Sequence, residues 1–276
     1  MRIGIFAKTF DGRTPRAVLA EVKRAGFAAA QYNMACSGLD ALPPAIDAAI
    51  ADAIAEASRA TSVEIAAVSA TYNMIHPDLA KREAGRRAFA AIAGAARRMG
   101  AGLLTVCTGS RDPLDQWRHH PDNAGAEAWR DMTQEFERLQ EIAERCDIAI
   151  GVEPELANVV SSARRARELI DSFRNPRLKI VFDPANLFEI EPPERRKSII
   201  AQAVDLLGGH IALAHAKDRR PDGGFARAGA GVIDFPHYIG ALRQAGFDGA
   251  LIAHGLDAAD APEVAQFLRG ALAAAP

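Results

Sequence analysis

Four segments in the second half of the chain end an apolar run with a side chain that can bind a metal or move a proton. They are Glu153 in "IGVEPE", Asp183 in "IVFDPAN", His215 in "IALAHAKD" and His254 in "ALIAHGL". Two carboxylates and two imidazoles suit one divalent transition metal ion, Mn²⁺, Zn²⁺ or Fe²⁺, whereas Ca²⁺ prefers oxygen donors alone. Any one of these residues could simply cap a loop. Four successive strand ends of this kind favour a metal site.

The four segments belong to a regular alternation of short apolar runs and longer amphipathic segments, which is typical of a parallel sheet built from strand–helix units. We predict strands near residues 3–6, 28–32, 63–69, 103–107, 149–153, 179–182, 211–215 and 250–254. The helices between them carry start and stop signals. Thr14 and Pro15 begin one helix, and Gly26, which can adopt the left-handed conformation, follows its end.

Eight strands, each followed by a helix, in a chain of 276 residues predict an α/β fold, a single (β/α)8 TIM barrel. No GxGxxG follows the first strand, which argues against a dinucleotide-binding sheet, and no Pro-, Gly- or Ser-rich linker divides the chain. We therefore predict one barrel domain over residues 1–276. Active sites in this fold lie at the carboxyl ends of strands that are about 4.8 Å apart, so the four candidate ligands can converge.

Other strand ends carry polar or aromatic side chains that could form the walls of a substrate pocket. The substrate-binding candidates are Asn73, His76, Thr108, Arg111, Trp117, Asn186 and Arg219. Trp117, in a long loop, would suit the apolar face of a sugar, although packing on the barrel rim fits the sequence equally. Lys217 could neutralise charge on a substrate oxygen or pair with a neighbouring aspartate. The glycine-rich "PDGGFARAGAG" could bind a phosphate, but such glycines are more often turns.

Composition restricts the classes of partner. The 33 Lys and Arg residues nearly balance the 35 Asp and Glu residues, so a net charge of −2 gives no reason to expect a nucleic acid partner. Cys36, Cys107 and Cys146 have no CxxC spacing and indicate reduced thiols. No apolar run approaches the length of a membrane span, and the N-terminus is unlike a signal peptide. We expect a cytoplasmic protein that binds neither nucleic acid nor membrane.

The segments "GVEPE", "FDPAN", "HAKD" and "GAGVIDFPHYIGALRQAGFDG" resemble those of the xylose isomerase-like TIM barrels, over essentially the whole length of the chain. That superfamily includes sugar isomerases and epimerases, inosose dehydratases and the endonuclease IV type of DNA repair enzyme. The resemblance implies one metal ion held by Glu153, Asp183, His215 and position 254. It also implies proton transfer beside a substrate carbonyl, with Glu153 or His254 as base, Lys217 near the developing charge and the ion stabilising an enediolate.

The sequence departs from the epimerase pattern at two positions. His254 stands where sugar epimerases carry a second glutamate, and Asn186 stands where many members have a histidine. A symmetric mechanism with two carboxylate bases is therefore not available. We expect an isomerase- or epimerase-type enzyme acting on a small sugar or polyol. An inosose-type dehydratase and a barrel that only binds a ligand remain alternatives, and the subunits could form a homodimer. A nuclease would need more metal ligands and a basic groove.

Overall fold

Eight parallel strands form a closed barrel in the computed structural model, which describes all 276 residues. Its strands are β1 (Arg2–Phe6), β2 (Ala29–Tyr32), β3 (Glu64–Ser69), β4 (Leu103–Val106), β5 (Ala149–Val152), β6 (Leu178–Phe182), β7 (Ile211–Arg219) and β9 (Ala250–Ala253). Consecutive barrel strands pair in parallel, and β1 pairs with β9, so the sheet has no open edge. The predicted single (β/α)8 TIM barrel is confirmed.

Helices surround the barrel and bury one face each against it. They are α1 (Pro15–Arg24), α2 (Ala48–Thr61), α3 (Leu79–Met99), α4 (Ala126–Arg145), α5 (Ala163–Phe173), α6 (Pro193–Leu207), α7 (Phe235–Gln244) and α8 (Ala261–Ala274). Thr14 caps α1 by accepting a hydrogen bond from the Ala17 amide. Gly26 follows the end of that helix with φ +95°, the left-handed conformation that the sequence predicts for this glycine. None of the helices combines the length and apolar character needed to cross a membrane.

One strand differs from the prediction. The apolar run ends at His215, but β7 continues to Arg219 because Lys217, Asp218 and Arg219 pair antiparallel with a short extra strand, β8 (Phe225–Arg227). A tight turn joins the two strands, and Gly223 adopts φ +87° within it. The polar "KDR" segment is therefore part of a hairpin that projects beyond the barrel.

The barrel interior is filled by small and branched side chains, which form a cluster separate from the main core between sheet and helices. Its members are Ala29, Ala67, Leu103, Val181, Leu213, Ala250 and Ile252. Gly4 belongs to this packing, because a Cβ atom there would lie 2.5 Å from Ile252 Cδ1 and 2.7 Å from the Ala29 carbonyl oxygen. Side chains alternate along a strand, so these inward positions determine which residues face the barrel mouth.

Candidate metal and substrate site

The alternation of side chains brings the predicted ligands together. Asp183 lies two residues after the inward-facing Val181, and His215 lies two residues after Leu213. His254 has the same relation to Ile252. These side chains therefore point along the barrel axis at the carboxyl end, where active sites of this fold lie.

Glu153, Asp183 and His215 form a compact group, which we call the triad. Their potential ligand atoms all lie within 4.8 Å of one another. His215 Nδ1 is 3.2 Å from Glu153 Oε1 and 3.7 Å from Asp183 Oδ2. Glu153 is half-buried, and the other two residues are buried. Three side chains from three different strands thus present their donor atoms to one point.

His254 lies beside the triad but does not join this group of donors. Its ring stacks on that of His215, with centroids 5.2 Å apart and planes at 13°, and also on Phe6 at 5.2 Å. The Nδ1 atom of His254 is buried without a hydrogen-bond partner. Whether His254 is a ligand or a base stays a prediction.

The chemistry of the donors fits a divalent transition metal ion, since two carboxylates and an imidazole converge. Two buried polar atoms at this point also lack partners. Asp183 Oδ2 accepts no well-aligned hydrogen bond, although the Lys217 ammonium lies 3.0 Å away as an ion pair. Asn186 Oδ1 is likewise unpartnered, while its amide nitrogen donates to Glu153 Oε1 at 3.0 Å. Buried polar atoms are seldom left in this state unless something else completes them.

Charges around the triad stabilise one another in the absence of metal. Burial alone would lower the pKa of His215, but the Glu153 and Asp183 carboxylates outweigh it and raise that pKa to about 9. In return, His215 and Lys217 hold the pKa of both carboxyl groups below the usual range, against the effect of burial. Two positive groups therefore compensate two negative ones, and an incoming cation would take over part of that role.

Gln31, at the end of β2, holds the far side of the His215 ring. Its Oε1 lies 2.8 Å from His215 Nε2, and its amide nitrogen donates to Thr105 Oγ1 at 3.1 Å. Gln31 Oε1 can accept the proton on His215 Nε2, while Nδ1 faces the carboxylates and donates to Glu153 Oε1 when the ring is protonated. A metal ion would take the place of the Nδ1 proton. The sequence prediction did not include Gln31 or Thr105. The sequence feature that could have indicated Gln31 is a polar side chain at an inward-facing position of the buried strand β2.

A cavity of about 330 Å³ opens beside the triad, at Glu153. It is lined by Phe6, Gln31, Ser69, Thr71, Cys107, Trp117, Glu153, Glu155, Lys217, Phe225, His254 and Gly255. Of the predicted site residues, Trp117, Glu153, Lys217 and His254 line this cavity. Lys217 Nζ also packs over the Phe225 ring at 4.1 Å. The prediction missed Glu155, the second acid of "EPE", in which burial and then the neighbouring Glu153 raise the pKa to about 7.

Six of the seven predicted substrate-binding residues, all except Trp117, lie outside this cavity and form bonds within the protein. Asn73 donates to the Ser110 carbonyl and accepts from the Ser110 amide, at 2.7 and 3.1 Å. His76 lies 3.1 Å from the Pro113 carbonyl through Nε2 and accepts from the Asp78 amide through Nδ1. These two side chains hold the loop after β3 against the loop after β4.

Thr108 and Arg111 also form bonds within the protein that stabilise the loops. Thr108 Oγ1 accepts from the Val160 amide at 3.0 Å, and Arg111 forms an ion pair with Asp131 at 2.9 Å. Arg219 donates to the Ala185 carbonyl at 2.7 Å and to the Gly223 carbonyl at 2.6 Å, so it joins the β7–β8 hairpin to the end of β6. Direct contact of these residues with a substrate remains a prediction.

The glycine-rich segment after β8 already encloses an anion, the carboxylate of Asp218. This fully buried side chain accepts hydrogen bonds from the amides of Gly229, Gly231 and Ile233 at 3.0–3.2 Å, and from the Arg219 amide at 2.8 Å. The backbone amides that could have bound a phosphate are therefore occupied by the protein's own side chain.

The family model described as xylose isomerase-like TIM barrel matches residues 19–271, so the chain belongs to that family. No curated protein matches the chain in sequence.

Solved structures of similar fold cover nearly the whole chain. The 3-keto-D-glucoside 4-epimerase YcjR from E. coli has a TM-score of 0.75 at 15% identity, covering 98% of this chain and 99% of that one. A D-tagatose 3-epimerase-like protein gives 0.77 at 18% identity, with 99% and 97% covered. The IOLI protein with a bound zinc atom gives 0.73 at 16% identity, with 99% and 98% covered. At such identities the likeness establishes the fold.

Proposed function

We propose that this protein is a metal-dependent isomerase- or epimerase-type enzyme that moves a proton at a carbon beside a carbonyl of a sugar or polyol. The observation that carries the proposal is the convergence of Glu153, Asp183 and His215 at the barrel mouth, next to a cavity that Glu153 lines. The named activities of YcjR and of the D-tagatose 3-epimerase-like protein, and the zinc of the IOLI protein, support it.

The triad would hold a divalent ion, with His254 as the candidate for a fourth ligand. A bound ion of this kind polarises an oxygen of the substrate and so increases the acidity of the adjacent C–H bond. Lys217 Nζ, which lines the cavity beside Asp183, is placed to stabilise negative charge on a substrate oxygen. Phe6 and Trp117 offer apolar faces to the sugar ring.

Proton transfer needs a base with a free electron pair that faces the cavity. Glu153 Oε2 has only a long contact of 3.8 Å with the Cys107 thiol, and His254 Nδ1 has no partner. Burial, followed by the charge of His215, lowers the pKa of His254 to about 4, so its imidazole is neutral with a free electron pair but is a weaker base than an ordinary histidine. We assign the base role to Glu153 or His254.

Glu155 favours a second candidate function, the elimination of water from an inosose-type substrate. In that reaction the base takes the proton from carbon, and a protonated carboxyl group gives its proton to the leaving hydroxyl, which departs as water. Glu155 lines the cavity and has a raised pKa, as such an acid requires. The site lacks the second carboxylate base of the epimerase pattern, which also suits a one-sided reaction.

Deuterium exchange tests the proposal over the widest range of substrates. The protein would be loaded with Mn²⁺, Zn²⁺ or Fe²⁺ and incubated in D2O with a panel of ketoses, ketoglycosides and inososes, and proton NMR would follow the C–H beside the carbonyl. We expect exchange that is abolished by a chelator and by Asp183→Ala. Formation of an unsaturated product would identify the dehydratase. Absence of exchange with every substrate in metal-loaded protein would contradict enzymatic function and leave a ligand-binding barrel.

A further inference from the structure

One oxygen of Asp183 lies close both to another member of the triad and to the Lys217 ammonium. The other oxygen, Oδ1, accepts a hydrogen bond from the Ala185 amide at 2.9 Å in the turn after β6. Oδ2 is therefore the oxygen left for a metal ion, and it lies 3.7 Å from His215 Nδ1 and 3.0 Å from Lys217 Nζ. A metal ion at the triad and the Lys217 ammonium would use the same atom.

Lys217 is buried and charged beside this oxygen. Its ammonium lies 4.1 Å from the centre of the Phe225 ring, and its stem passes Gly255, where an added Cβ atom would lie 3.5 Å from Lys217 Cδ. Burial would lower the pKa of Lys217, but the Asp183 and Glu153 carboxylates raise it above its usual value. The ammonium is therefore a fixed positive charge at neutral pH.

Electrostatics make this ammonium and a metal ion competitors. A carboxylate oxygen has two electron pairs and could in principle contact both cations. Two positive charges on one oxygen repel each other strongly, however, where little water screens them. Each cation therefore weakens the binding of the other to Asp183, and by linkage the effect is equal in both directions.

The cavity offers Lys217 a second carboxylate. Glu155 lines the same cavity as Lys217, and its side chain forms no ion pair in the structure. Burial and the Glu153 charge raise the pKa of the Glu155 carboxyl, and the charge of Lys217 opposes them, so Lys217 is already within electrostatic reach of Glu155. An ammonium that leaves Asp183 would remain compensated on the cavity side.

We propose, as an extension of the proposed metal-dependent function, that Lys217 and the metal ion compete for Asp183 Oδ2. Lys217 limits the affinity of the triad for metal, and binding of the ion directs the ammonium away from Asp183 into the cavity. The positive group that would stabilise charge on a substrate oxygen then becomes available only when the metal is bound.

Calorimetric titration with Mn²⁺ tests the competition without reference to activity. Lys217→Met should bind Mn²⁺ about 10-fold or more tightly than the wild type, because a buried positive charge next to the ion is removed. Lys217→Arg retains the charge and should not bind more tightly than the wild type. Lys197→Met is the matched control, since it removes the same charge from an exposed ion pair with Asp234 and should leave the affinity unchanged.

Lys217→Gln replaces Lys217→Met if the latter does not fold, because its amide can still donate a hydrogen bond to Asp183 without a charge. In wild-type crystals with Mn²⁺, the distance between Lys217 Nζ and Asp183 Oδ2 should exceed about 4 Å, the limit of an ion pair. Equal or weaker Mn²⁺ affinity in the uncharged variants, or a retained ion pair beside the bound ion, would overturn the inference. If the uncharged variants bind Mn²⁺ more tightly but no substrate exchanges deuterium, the proposed chemistry is wrong and the competition stands.

Discussion

Two groups of polar side chains surround the mouth of the barrel, and they differ in whether the protein itself satisfies their hydrogen bonds. After β6 and β9, Asn186 Oδ1 and His254 Nδ1 are buried without a hydrogen-bond partner, and Asp183 Oδ2 has only its ion pair with Lys217. After β4 and β5, the Thr108 hydroxyl and both ends of the Asn158 amide are bonded to loop backbone. Five buried side-chain atoms in the chain lack partners, and three of them lie beside the triad.

This difference distinguishes the polar residues that stabilise the loops from those that could bind a ligand. A buried polar atom without a partner costs about 1–3 kcal/mol, so a folded chain usually completes such groups internally, as the loops after β3 and β4 do. The arrangement around the triad is the opposite, because the potential metal-ligand atoms face one another beside a cavity and are not bonded to loop backbone. A polar residue at the carboxyl end of a barrel is therefore a candidate functional residue when its hydrogen-bonding atoms have no partner in the protein, in addition to its position.

The largest expected effect is on the triad itself. His215→Ala removes the one imidazole of the triad and should weaken Mn²⁺ binding by more than about 100-fold, beyond the range for outer-shell partners. His210→Ala is the matched control, since His210 precedes β7 at the other end of the strand and should bind metal like the wild type. Calorimetric titration with Mn²⁺ measures both. Equal affinities in the two variants would show that His215 is not a metal ligand.

Gln31 should show a smaller effect of the same kind. Gln31→Leu leaves His215 Nε2 without its acceptor and frees the ring to rotate, so we expect Mn²⁺ affinity to fall about 10- to 100-fold. Long-range ¹H–¹⁵N NMR of the metal-free protein should also show a changed ¹⁵N shift at His215 Nε2, which has lost its hydrogen-bond acceptor. An unchanged affinity together with an unchanged NMR pattern would show that Gln31 only fills space.

A residue that only stabilises the loops should show the opposite effect, a loss of stability without a loss of metal affinity. Asn158 accepts from the Gly109 amide at 2.6 Å and donates to the Gln116 carbonyl at 3.1 Å, both within the loops. Asn158→Ala should lower the free energy of unfolding by about 1–3 kcal/mol because these backbone groups lose their partner. Mn²⁺ affinity should stay at the wild-type value. Urea unfolding measures the stability and calorimetry the Mn²⁺ affinity. A loss of metal affinity without a loss of stability would show that Asn158 belongs to the metal site.

Trp117 should give the smallest effect on stability. Its side chain is 48% exposed at the edge of the triad cavity, so Trp117→Ala should change the free energy of unfolding by about 0.5 kcal/mol or less. If the indole packs on a sugar, KM should rise or kcat should fall with the substrate found by deuterium exchange. A lower melting temperature with intact kinetics would instead assign Trp117 to the barrel rim.

The fold and the triad could be predicted because both depend on local pattern. Strand alternation and helix stop signals are read over a few neighbouring residues, and Glu153, Asp183 and His215 each end an apolar run. The bounds of most strands were correct to within one or two residues. The end of β7 was wrong because pairing with β8 extends a strand through charged residues.

The rest of the site depends on contacts between distant parts of the chain. Gln31 and His215 are 184 positions apart, and Gly109 and Asn158 are 49 apart. No local pattern indicates that Asn73 is already bonded to Ser110, or that Asp218 occupies the amides of the glycine-rich segment. Sequence predicts which residues can do chemistry at a strand end, but the closed fold determines which of them remain free to do it.

Diffraction from crystals grown with Mn²⁺ would show whether the triad binds a metal ion, because anomalous scattering locates the ion without reference to activity. We predict one strong peak whose distances to a Glu153 carboxylate oxygen, Asp183 Oδ2 and His215 Nδ1 are about 2.0–2.6 Å. The same map will show whether His254 is a fourth ligand. A peak elsewhere on the barrel, or none at a saturating concentration of Mn²⁺, would contradict the assignment of the triad as a metal site.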